Sequence, residues 1–336
     1  MKKFIIVVVL ILLIVVGFKV YKKNNAPVVD YSTASSISSS GLYNFKLTHD
    51  GVERTWQVYA PKSYDGNKSM PLIVVFHGGG GTAESIANET RFSQVAETRN
   101  VLIAYPNATE GVNKWNTGPR KDMKHDGSTA DDTGFVKKML ADIESRFKVD
   151  QGRIYATGFS NGGMFTFRMA CEMSEVFAAV APVGSRLMDH PCNPTRAVPL
   201  MFVVGDADPL LPFNGGPVSD TIPSIIKPKD TFKSAQIVLD DWRNKNACTE
   251  DHVTTFEKGD TECVTYSKCS TGAEVVFCTV TDGGHTWPGG TYGAFKKQAV
   301  EDAYAKLVGK ISKDFDASNE IITFFLKHSI ANPSKR

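Results

Sequence analysis

The sequence predicts an α/β fold with a mostly parallel central sheet and helices on both of its faces. Runs such as Pro71–Phe76 and Val101–Tyr105 are short and apolar throughout, which is typical of strands buried on both sides. Segments with helical periodicity, such as Asp132–Phe147, alternate with these runs at the spacing of β-α-β units. The 336 residues are 42% hydrophobic and 22% charged, an ordinary globular composition that excludes global disorder, collagen and coiled coil.

The elements follow one another along residues 41–336, in which the sequence shows no second domain boundary. Arg54–Ala60 alternates polar and apolar residues, as a half-buried strand does, and most later strands are short apolar runs. The predicted strands are Arg54–Ala60, Pro71–Phe76, Val101–Tyr105, Arg153–Gly158, Phe177–Pro182, Pro199–Val204, His252–Phe256 and Glu274–Val280. The predicted helices are Asp132–Phe147, Gly162–Cys171, Ile237–Lys245 and Glu320–His328.

Two further features accompany these elements. Asp131 and Asp132 are expected to cap the first helix. Leu211–Asp230, which is rich in proline and glycine, is a candidate pocket wall or lid.

Residues 1–23 are predicted to be a membrane anchor or a signal segment. Phe4–Phe18 carries no charge, and lysines flank it on both sides. No small-x-small cleavage site follows the apolar run, so the sequence favours an uncleaved anchor over a cleaved signal. Residues 24–40 end in a serine-rich run and are predicted to be a flexible tether. The net charge of +2 gives no reason to expect nucleic acid as a partner, and contact with a membrane is expected only through the N-terminal segment.

The cysteine content indicates the compartment. Six cysteines lie at positions 171, 192, 248, 263, 269 and 278. Zinc is the rival interpretation, but the sequence has no C-x-x-C pair and no histidine at ligand spacing. An even number of cysteines behind an export segment favours disulfides, formed in a membrane-anchored or secreted protein outside the cytoplasm. Sequence does not fix the connectivity, so Cys171–Cys192, Cys248–Cys269 and Cys263–Cys278 are a working hypothesis.

Gly158–Gly162 reads Gly-Phe-Ser-Asn-Gly and matches the G-x-S-x-G pattern of a nucleophile on a tight strand-to-helix turn. The pattern follows the predicted strand Arg153–Gly158 and precedes a predicted helix, which is the context that such a turn requires. Glycines allow the backbone to come close at this turn, and Ser160 would be held in a strained, exposed conformation. The alternative is a glycine-rich helix start in which Ser160 is only the N-cap.

A serine nucleophile needs a base and an acid later in the chain. His285 follows the strand Glu274–Val280 in a glycine-rich loop and is the best candidate for the base, although a structural histidine in a turn is the alternative. Two carboxylates compete for the acid in the loop after Pro199–Val204. We favour Asp208, which precedes Pro209, over Asp206, which can instead bind the backbone of its own loop.

Acyl transfer also needs donors for a developing oxyanion. One candidate is the backbone N–H of Asn161, and the other is a glycine N–H at Gly79 or Gly80, in the glycine run after the strand Pro71–Phe76. Trp115 and Trp287 either line the substrate pocket or belong to the aromatic core. This chemistry requires neither a metal ion nor a cofactor.

Several motifs together resemble one family. They are Gly78–Gly81 with the preceding His77, Trp115-Asn116 followed by Asp131–Phe135, Gly158–Met164, Phe177–Pro182 and Gly284–Gly290. In these motifs residues 41–328 resemble the polyhydroxybutyrate depolymerase, feruloyl esterase and acetylxylan esterase group of α/β-hydrolases, including its mycobacterial-lipoprotein-like branch. The resemblance implies the α/β-hydrolase fold and a Ser-Asp-His hydrolase of carboxylic esters. Its Gly-x-x-Asp-Pro loop matches Gly205–Pro209, which favours Asp208.

Two departures bear on the substrate. Polymer depolymerases of this group often carry a separate polymer-binding domain after a Ser/Thr-rich linker, whereas the serine-rich stretch here is N-terminal. The N-terminal position of the serine-rich stretch and the predicted membrane tether both favour small or oligomeric esters over bulk polymer. Such esters are either polyhydroxybutyrate oligomers or feruloyl and acetyl esters. Two other functions stay open, namely a catalytically silent binding module and a peptidase or thioesterase with the same triad. The natural ester and the oligomeric state are not fixed by the sequence.

Overall fold

The computed structural model describes residues 36–109, 113–118, 129–223, 231–293 and 298–331. In chain order its strands are β1 (Gly41–His49), β2 (Val52–Ala60), β3 (Met70–Phe76), β4 (Leu102–Pro106), β5 (Val149–Phe159), β6 (Ala179–Val183), β7 (Leu200–Gly205), β8 (Gly216–Pro217), β9 (Thr231–Phe232), β10 (Val253–Lys258), β11 (Thr261–Tyr266) and β12 (Val275–Val280). Its α-helices are α1 (Ala83–Thr90), α2 (Phe92–Arg99), α3 (Asp132–Arg146), α4 (Asn161–Glu172), α5 (Ala235–Lys245), α6 (Gln298–Val308) and α7 (Ala317–Phe325).

Ten of these strands form one sheet in the order β1-β2-β4-β3-β5-β6-β7-β12-β11-β10. The central strands from β4 to β12 are parallel to one another. At the two margins, β1 and β2 on one side and β11 and β10 on the other join in antiparallel fashion. The predicted fold class, an α/β-hydrolase fold with a mostly parallel sheet, is therefore confirmed.

The sheet separates two hydrophobic cores because successive side chains of a strand point to opposite faces. In β3, Leu72 and Val74 belong to one core, whereas Ile73 and Val75 belong to the other, and all four are completely buried. Side chains of α3, α4 and α5 cover the first face. Side chains of α1, α2 and α7 cover the second. Burial on both faces explains why the sequence of the central strands is apolar throughout rather than alternating.

Seven elements were not predicted: β1, the two-residue strands β8 and β9, β11, α1, α2 and α6. The helices α1 and α2 have eight residues each, too few for a clear helical period. They join at Arg91, whose left-handed backbone (φ 58°) ends one helix and begins the next. β11 reads Thr-Glu-Cys-Val-Thr-Tyr, in which polar and apolar residues do not alternate strictly, so it lacks the sequence pattern of a half-buried strand. The twelve strands and helices that were predicted are present, with ends shifted by a few residues.

The predicted tether of residues 24–40 needs a correction at its C-terminal end. Ile37 is 7% exposed and packs into the first core, and its N–H donates to the Arg146 carbonyl at 2.8 Å. The Tyr64 hydroxyl donates to the Ile37 carbonyl at 3.1 Å. The folded part therefore begins at or before residue 37 rather than at Gly41. The predicted anchor, residues 1–23, and residues 24–35 lie outside the described residues.

The six cysteines form three disulfides, Cys171–Cys192, Cys248–Cys269 and Cys263–Cys278. These are the pairs of the working hypothesis. The third joins directly opposed residues of β11 and β12. Among the described residues, none of the helices is long and apolar enough to cross a membrane.

Residues 211–230 were expected to be irregular, and the structure describes them as far as residue 223. Gly216 and Pro217 form β8, which pairs with β9 beyond the undescribed part. Leu211, Val218 and Ile222 are at most 3% exposed and pack with Met164 of α4 and Phe232 of β9. This third apolar cluster fixes the segment against the first turns of α4.

Candidate active site

The candidate site lies where three strands of the parallel sheet end. Ser160 follows β5 directly, Asp208 follows β7 by three residues, and His285 follows β12 by five. β7 and β12 are neighbours, and Gly205 pairs with Val280 at their carboxyl ends. Because the carboxyl ends of parallel strands meet at one edge, the three side chains reach the same place.

Ser160 lies on a sharp turn between β5 and α4. Its backbone has φ 55° and ψ −118°, a strained conformation for a residue with a side chain. The turn is fixed by bonds from the Ser160 N–H to the Val183 carbonyl (3.0 Å) and from the Met164 N–H to the Ser160 carbonyl (2.9 Å). A Cβ on Gly162 would lie 2.3 Å from the Phe76 carbonyl oxygen, so only glycine fits there. The G-x-S-x-G pattern thus has the strand-turn-helix context that the sequence predicted.

A continuous chain of hydrogen bonds joins the three polar side chains. His285 Nε2 lies 2.8 Å from Ser160 Oγ, and His285 Nδ1 lies 2.7 Å from Asp208 Oδ2. Ser160 is half-buried, whereas the side chains of His285 and Asp208 are 5% and 2% exposed. The backbone N–H of His285 donates to the Val308 carbonyl at 2.6 Å and holds the loop that carries the imidazole. With Asp208 ionised, the imidazole carries its proton on Nδ1, and Nε2 can accept the serine proton.

The two candidate acids have different partners. Asp208 Oδ1 accepts from the N–H groups of Leu210 and Leu211, both at 2.8 Å, while its Oδ2 contacts His285. Asp206 is exposed, and its Oδ1 accepts from the Asp282 N–H at 2.7 Å. The structure therefore brings Asp208, and not Asp206, to the imidazole.

The glycine run after β3 lies against the nucleophile turn. A Cβ built on Gly78 would lie 3.5 Å from Ser160 Cβ, and one built on Gly79 would lie 3.8 Å from Asn161 Cβ. Within the described part of the chain, the N–H groups of Gly79 and Asn161 have no hydrogen-bond partner. The Gly80 N–H, in contrast, donates to the Asn113 carbonyl at 2.8 Å. The prediction of Gly80 as an oxyanion donor is therefore wrong, because its N–H is already used inside the loop.

His77 holds the glycine run in place. Its Nε2 accepts from the Ala108 N–H at 3.0 Å, so Nδ1 carries the proton and donates to the Gly78 carbonyl at 2.8 Å. Because the C=O and N–H of a trans peptide point in opposite directions, this bond turns the Gly79 N–H away from the His77 ring. Burial lowers the pKa of His77 to about 4, so the ring is neutral at physiological pH.

We expect this histidine to make folding stability depend on pH. Its folded pKa of about 4 lies below the ordinary value of 6.5, so its contribution is complete above pH 6.5 and disappears as the pH falls toward 4. The full effect is about 3 kcal/mol. The measurement is the free energy of unfolding in urea at pH 7 and pH 4.5, for wild type and for His77→Gln. The difference between the two proteins removes the contributions of other groups, and an identical pH dependence in both would contradict the prediction.

Trp115 and Trp287 do not line an open pocket. Both are 1% exposed. The Trp115 ring stacks on Phe165 with centroids 5.0 Å apart, and the Trp287 ring meets Phe92 edge-on at 5.7 Å. Of the two readings that the sequence left open, the structure favours the aromatic core, since both rings fill the space beneath the site.

Asn161 contributes its side chain as well as its backbone, which the sequence did not suggest. Its Oδ1 accepts from the Trp115 N–H at 2.7 Å, and its Nδ2 donates to the Trp115 carbonyl at 3.3 Å. This pair of bonds ties the described loop of residues 113–118 to the residue that follows the nucleophile.

Asp131 and Asp132 have different roles, although both were expected to cap α3. Asp131 is the cap, since it accepts from the Gly134 N–H at 2.9 Å. Asp132 is fully buried and instead accepts from the Asn116 N–H and from Arg54 Nη2, both at 2.7 Å. It anchors the loop of residues 113–118 at Asn116, one residue beyond the contact of Asn161 with Trp115.

A parallel sheet with a serine on a strand-to-helix turn, and with an acid and a histidine at neighbouring strand ends, defines the α/β-hydrolase class. Solved structures agree. One titled "Crystal Structure of a Thermostable Esterase" superposes with a TM-score of 0.53 and 15% identity, covering 86% of this chain and 63% of that one. The acetyl xylan esterase from Aspergillus awamori gives a TM-score of 0.51 at 15% identity, covering 73% and 94%. At this identity the likeness shows the fold alone.

Sequence relatives define the family. Residues 50–207 match the esterase family model, described as "Putative esterase". The chain is 36% identical over 256 residues to "Putative esterase NocK" of Nocardia uniformis subsp. tsuyamanensis, covering 72% of this chain and 73% of that protein. Feruloyl esterase B of Piromyces equi is 29% identical over 241 residues, which cover 69% of this chain and 42% of that relative's length. The chain belongs to the esterase family, and it is a carboxylic ester hydrolase.

Proposed function

We propose that the chain is an extracytoplasmic serine esterase in which Ser160, His285 and Asp208 form a catalytic triad. The observation that carries the proposal is the unbroken hydrogen-bond chain from Ser160 Oγ through both imidazole nitrogens to Asp208. The strained backbone of Ser160 also exposes the hydroxyl at the sheet edge, where a substrate carbonyl can reach it.

In the first half-reaction Ser160 Oγ attacks the ester carbonyl carbon while His285 Nε2 accepts the serine proton. Asp208 stabilises the imidazolium that forms. The N–H groups of Asn161 and Gly79 donate to the oxyanion, and losing one such donor costs about 2.7–4 kcal/mol of transition-state stabilisation. His285 then protonates the leaving alcohol as the C–O bond breaks.

In the second half-reaction water attacks the acyl-enzyme. His285 accepts a proton from the water, the same two N–H groups hold the second oxyanion, and the proton returns to Ser160 as the acid leaves. These steps use only groups of this chain and the water.

The proposed substrates are small or oligomeric esters with an apolar part, such as feruloyl or acetyl esters or 3-hydroxybutyrate oligomers. Relatives named feruloyl esterase and acetylxylan esterase support the first two. Three partly buried apolar side chains, Met188, Leu210 and Leu307, pack on the apolar cluster around Met164. Two of them lie near the triad: Leu210 donates its N–H to Asp208, and Leu307 precedes Val308, whose carbonyl accepts from the His285 N–H. They offer an apolar wall to the acyl or alcohol group.

The proposal is tested by comparing kcat/KM of the full chain for p-nitrophenyl acetate, methyl ferulate, acetylated xylobiose and a 3-hydroxybutyrate trimer. The matched control is Ser160→Ala. At least one ester should be hydrolysed with a kcat/KM a hundredfold above that of a peptide and of a thioester of the same acyl group. A higher value for the peptide or the thioester would replace the proposal, and a phosphonate-reactive Ser160 with no turnover of any substrate would favour a binding module.

The location outside the cytoplasm is supported by the three disulfides, since such bonds form and persist in oxidising compartments. We expect no free thiols in denatured, unreduced protein taken from the native host, and a membrane fraction that contains the full chain. Six free thiols would contradict export. A product in the soluble fraction that starts after residue 20 would replace the anchor with a cleaved signal.

A further inference from the structure

Arg186 is a buried cation that the triad mechanism does not use. It lies three residues beyond the end of β6 and is 1% exposed. All of its hydrogen bonds go to main-chain carbonyls: Nη1 to Ser185 (2.7 Å), Nη2 to Leu211 and Pro212 (3.0 Å each) and Nε to Lys233 (3.2 Å). Within the described part of the chain, the guanidinium forms no ion pair with a carboxylate at 4.0 Å or less. Burying a full charge among neutral acceptors costs free energy, so the buried position of Arg186 points to a role beyond packing.

The carbonyls that Arg186 binds belong to the loop that presents the acid. Asp208 Oδ1 accepts from the N–H groups of Leu210 and Leu211, and Arg186 binds the next two carbonyls, those of Leu211 and Pro212. The carboxylate and the guanidinium thus hold the same short stretch from its two sides. Burial lowers the pKa of Arg186 to about 10 and the charge of Asp208 opposes that shift, so the group stays cationic at neutral pH and acts on the acid electrostatically.

The Arg186 guanidinium also binds backbone that lies close to the imidazole of His285. Its Nη1 binds the carbonyl of its own neighbour, Ser185. The next residue upstream, Gly184, packs so closely that a Cβ there would lie 2.8 Å from Phe159 Cε2 and 3.8 Å from His285 Nδ1. One guanidinium therefore connects the backbone beneath the imidazole to the loop that carries its carboxylate partner.

We propose that Arg186 is a positioning residue for catalysis, which holds Asp208 at hydrogen-bond distance from His285 and places a positive charge near its carboxylate. The inference rests on the proposed triad. Charged groups of the surrounding segments are Asp206 and Asp208 in the acid loop, Lys233 with its partners Asp189 and Asp241, and Asp282 beside His285. Of these, Asp208 is the one whose charge acts on Arg186, and Lys233 is already paired with two carboxylates.

The test compares Arg186→Met and Arg186→Lys with Arg243→Met. Arg243 is also a buried arginine, 6% exposed, but it binds Asp240 and Glu250 at α5, outside the triad. We expect kcat for p-nitrophenyl acetate to fall about tenfold to a hundredfold in Arg186→Met, with KM changed less than threefold, and to recover in part in Arg186→Lys. Arg243→Met should keep wild-type kcat at a comparable loss of thermal stability.

Two further readouts separate this inference from the proposed function. The rate at which a phosphonate probe labels Ser160 should fall in parallel with kcat, and the low-field proton resonance of the His285–Asp208 bond should shift or disappear. Where Arg186→Met does not fold, Arg186→Gln, which keeps donors for the carbonyls but has no charge, carries the same test. Wild-type labelling and resonance in a folded neutral variant would overturn the inference, whereas a wild-type protein without labelling would overturn the triad itself.

Discussion

Replacing Ser160 with alanine is expected to lower kcat for ester hydrolysis at least about a thousandfold, leaving the residual rate that an oxyanion hole and binding supply alone. The reason is that Ser160 Oγ is the hydroxyl bound to the proton-accepting Nε2 of His285, at 2.8 Å. Without this hydroxyl the acyl-enzyme cannot form, and a water molecule would have to attack the ester from a position in which the site does not align it. The measurement is steady-state hydrolysis of p-nitrophenyl acetate at enzyme concentrations high enough to detect the residual activity.

The matched control is Ser174→Ala. Ser174 is 3% exposed and bonds to Thr195, so its loss also removes a buried hydroxyl, but one outside the triad. We expect this variant to keep kcat within about threefold of wild type, as ordinary substitutions away from a site do. Circular dichroism should show both variants folded. If Ser160→Ala kept more than a thousandth of wild-type kcat while folded, Ser160 would not be the nucleophile.

Asp208→Asn should reduce kcat about 10⁴-fold, whereas Asp206→Asn should leave it nearly unchanged. In the first variant the amide oxygen stays with the N–H groups of Leu210 and Leu211, so the amide NH₂ faces His285 Nδ1. The imidazole then accepts at Nδ1 and carries its proton on Nε2, which is the wrong tautomer for accepting the serine proton. In the second variant the amide oxygen can still accept from the Asp282 N–H.

Each asparagine variant serves as the control for the other, because each removes one negative charge from the same loop. kcat and KM for both should be measured with one ester across pH 5–9. An equal loss in the two variants would show that loop charge, rather than the contact with His285, is what matters. A reversed order would assign the acid to Asp206.

The features that the sequence predicted are those that leave a pattern within one short stretch of residues. Strands such as Pro71–Phe76 are apolar throughout because both faces of the sheet are covered, and that pattern is visible in a single run of residues. The turn around Ser160 needs glycines where carbonyls approach within 2–3 Å of a missing Cβ, and this need also appears as a local pattern. Asp208 and His285 follow strands at short distances, so the strand prediction placed them at one edge.

The features that sequence did not show depend on contacts distant in the chain. Gly80 looked like an equal alternative to Gly79 until the Asn113 carbonyl, 33 residues later, was seen to accept its N–H. Trp115 was ambiguous because its ring packs on a helix that follows much later. Arg186 binds carbonyls, and a carbonyl acceptor has no signature in a sequence, since every residue has one.

The pairing of β7 with β12 also has a kinetic consequence. Gly205 and Val280 are 75 positions apart, yet their pairing sets where Asp208 and His285 stand relative to each other. A slip of two residues in this register would keep the side-chain faces correct but displace the imidazole by about 6.6 Å, far beyond hydrogen-bond reach. Pairings of such long separation are slow to form. Recovered activity after dilution from denaturant therefore reports correct strand alignment, while recovered helix signal reports only local order.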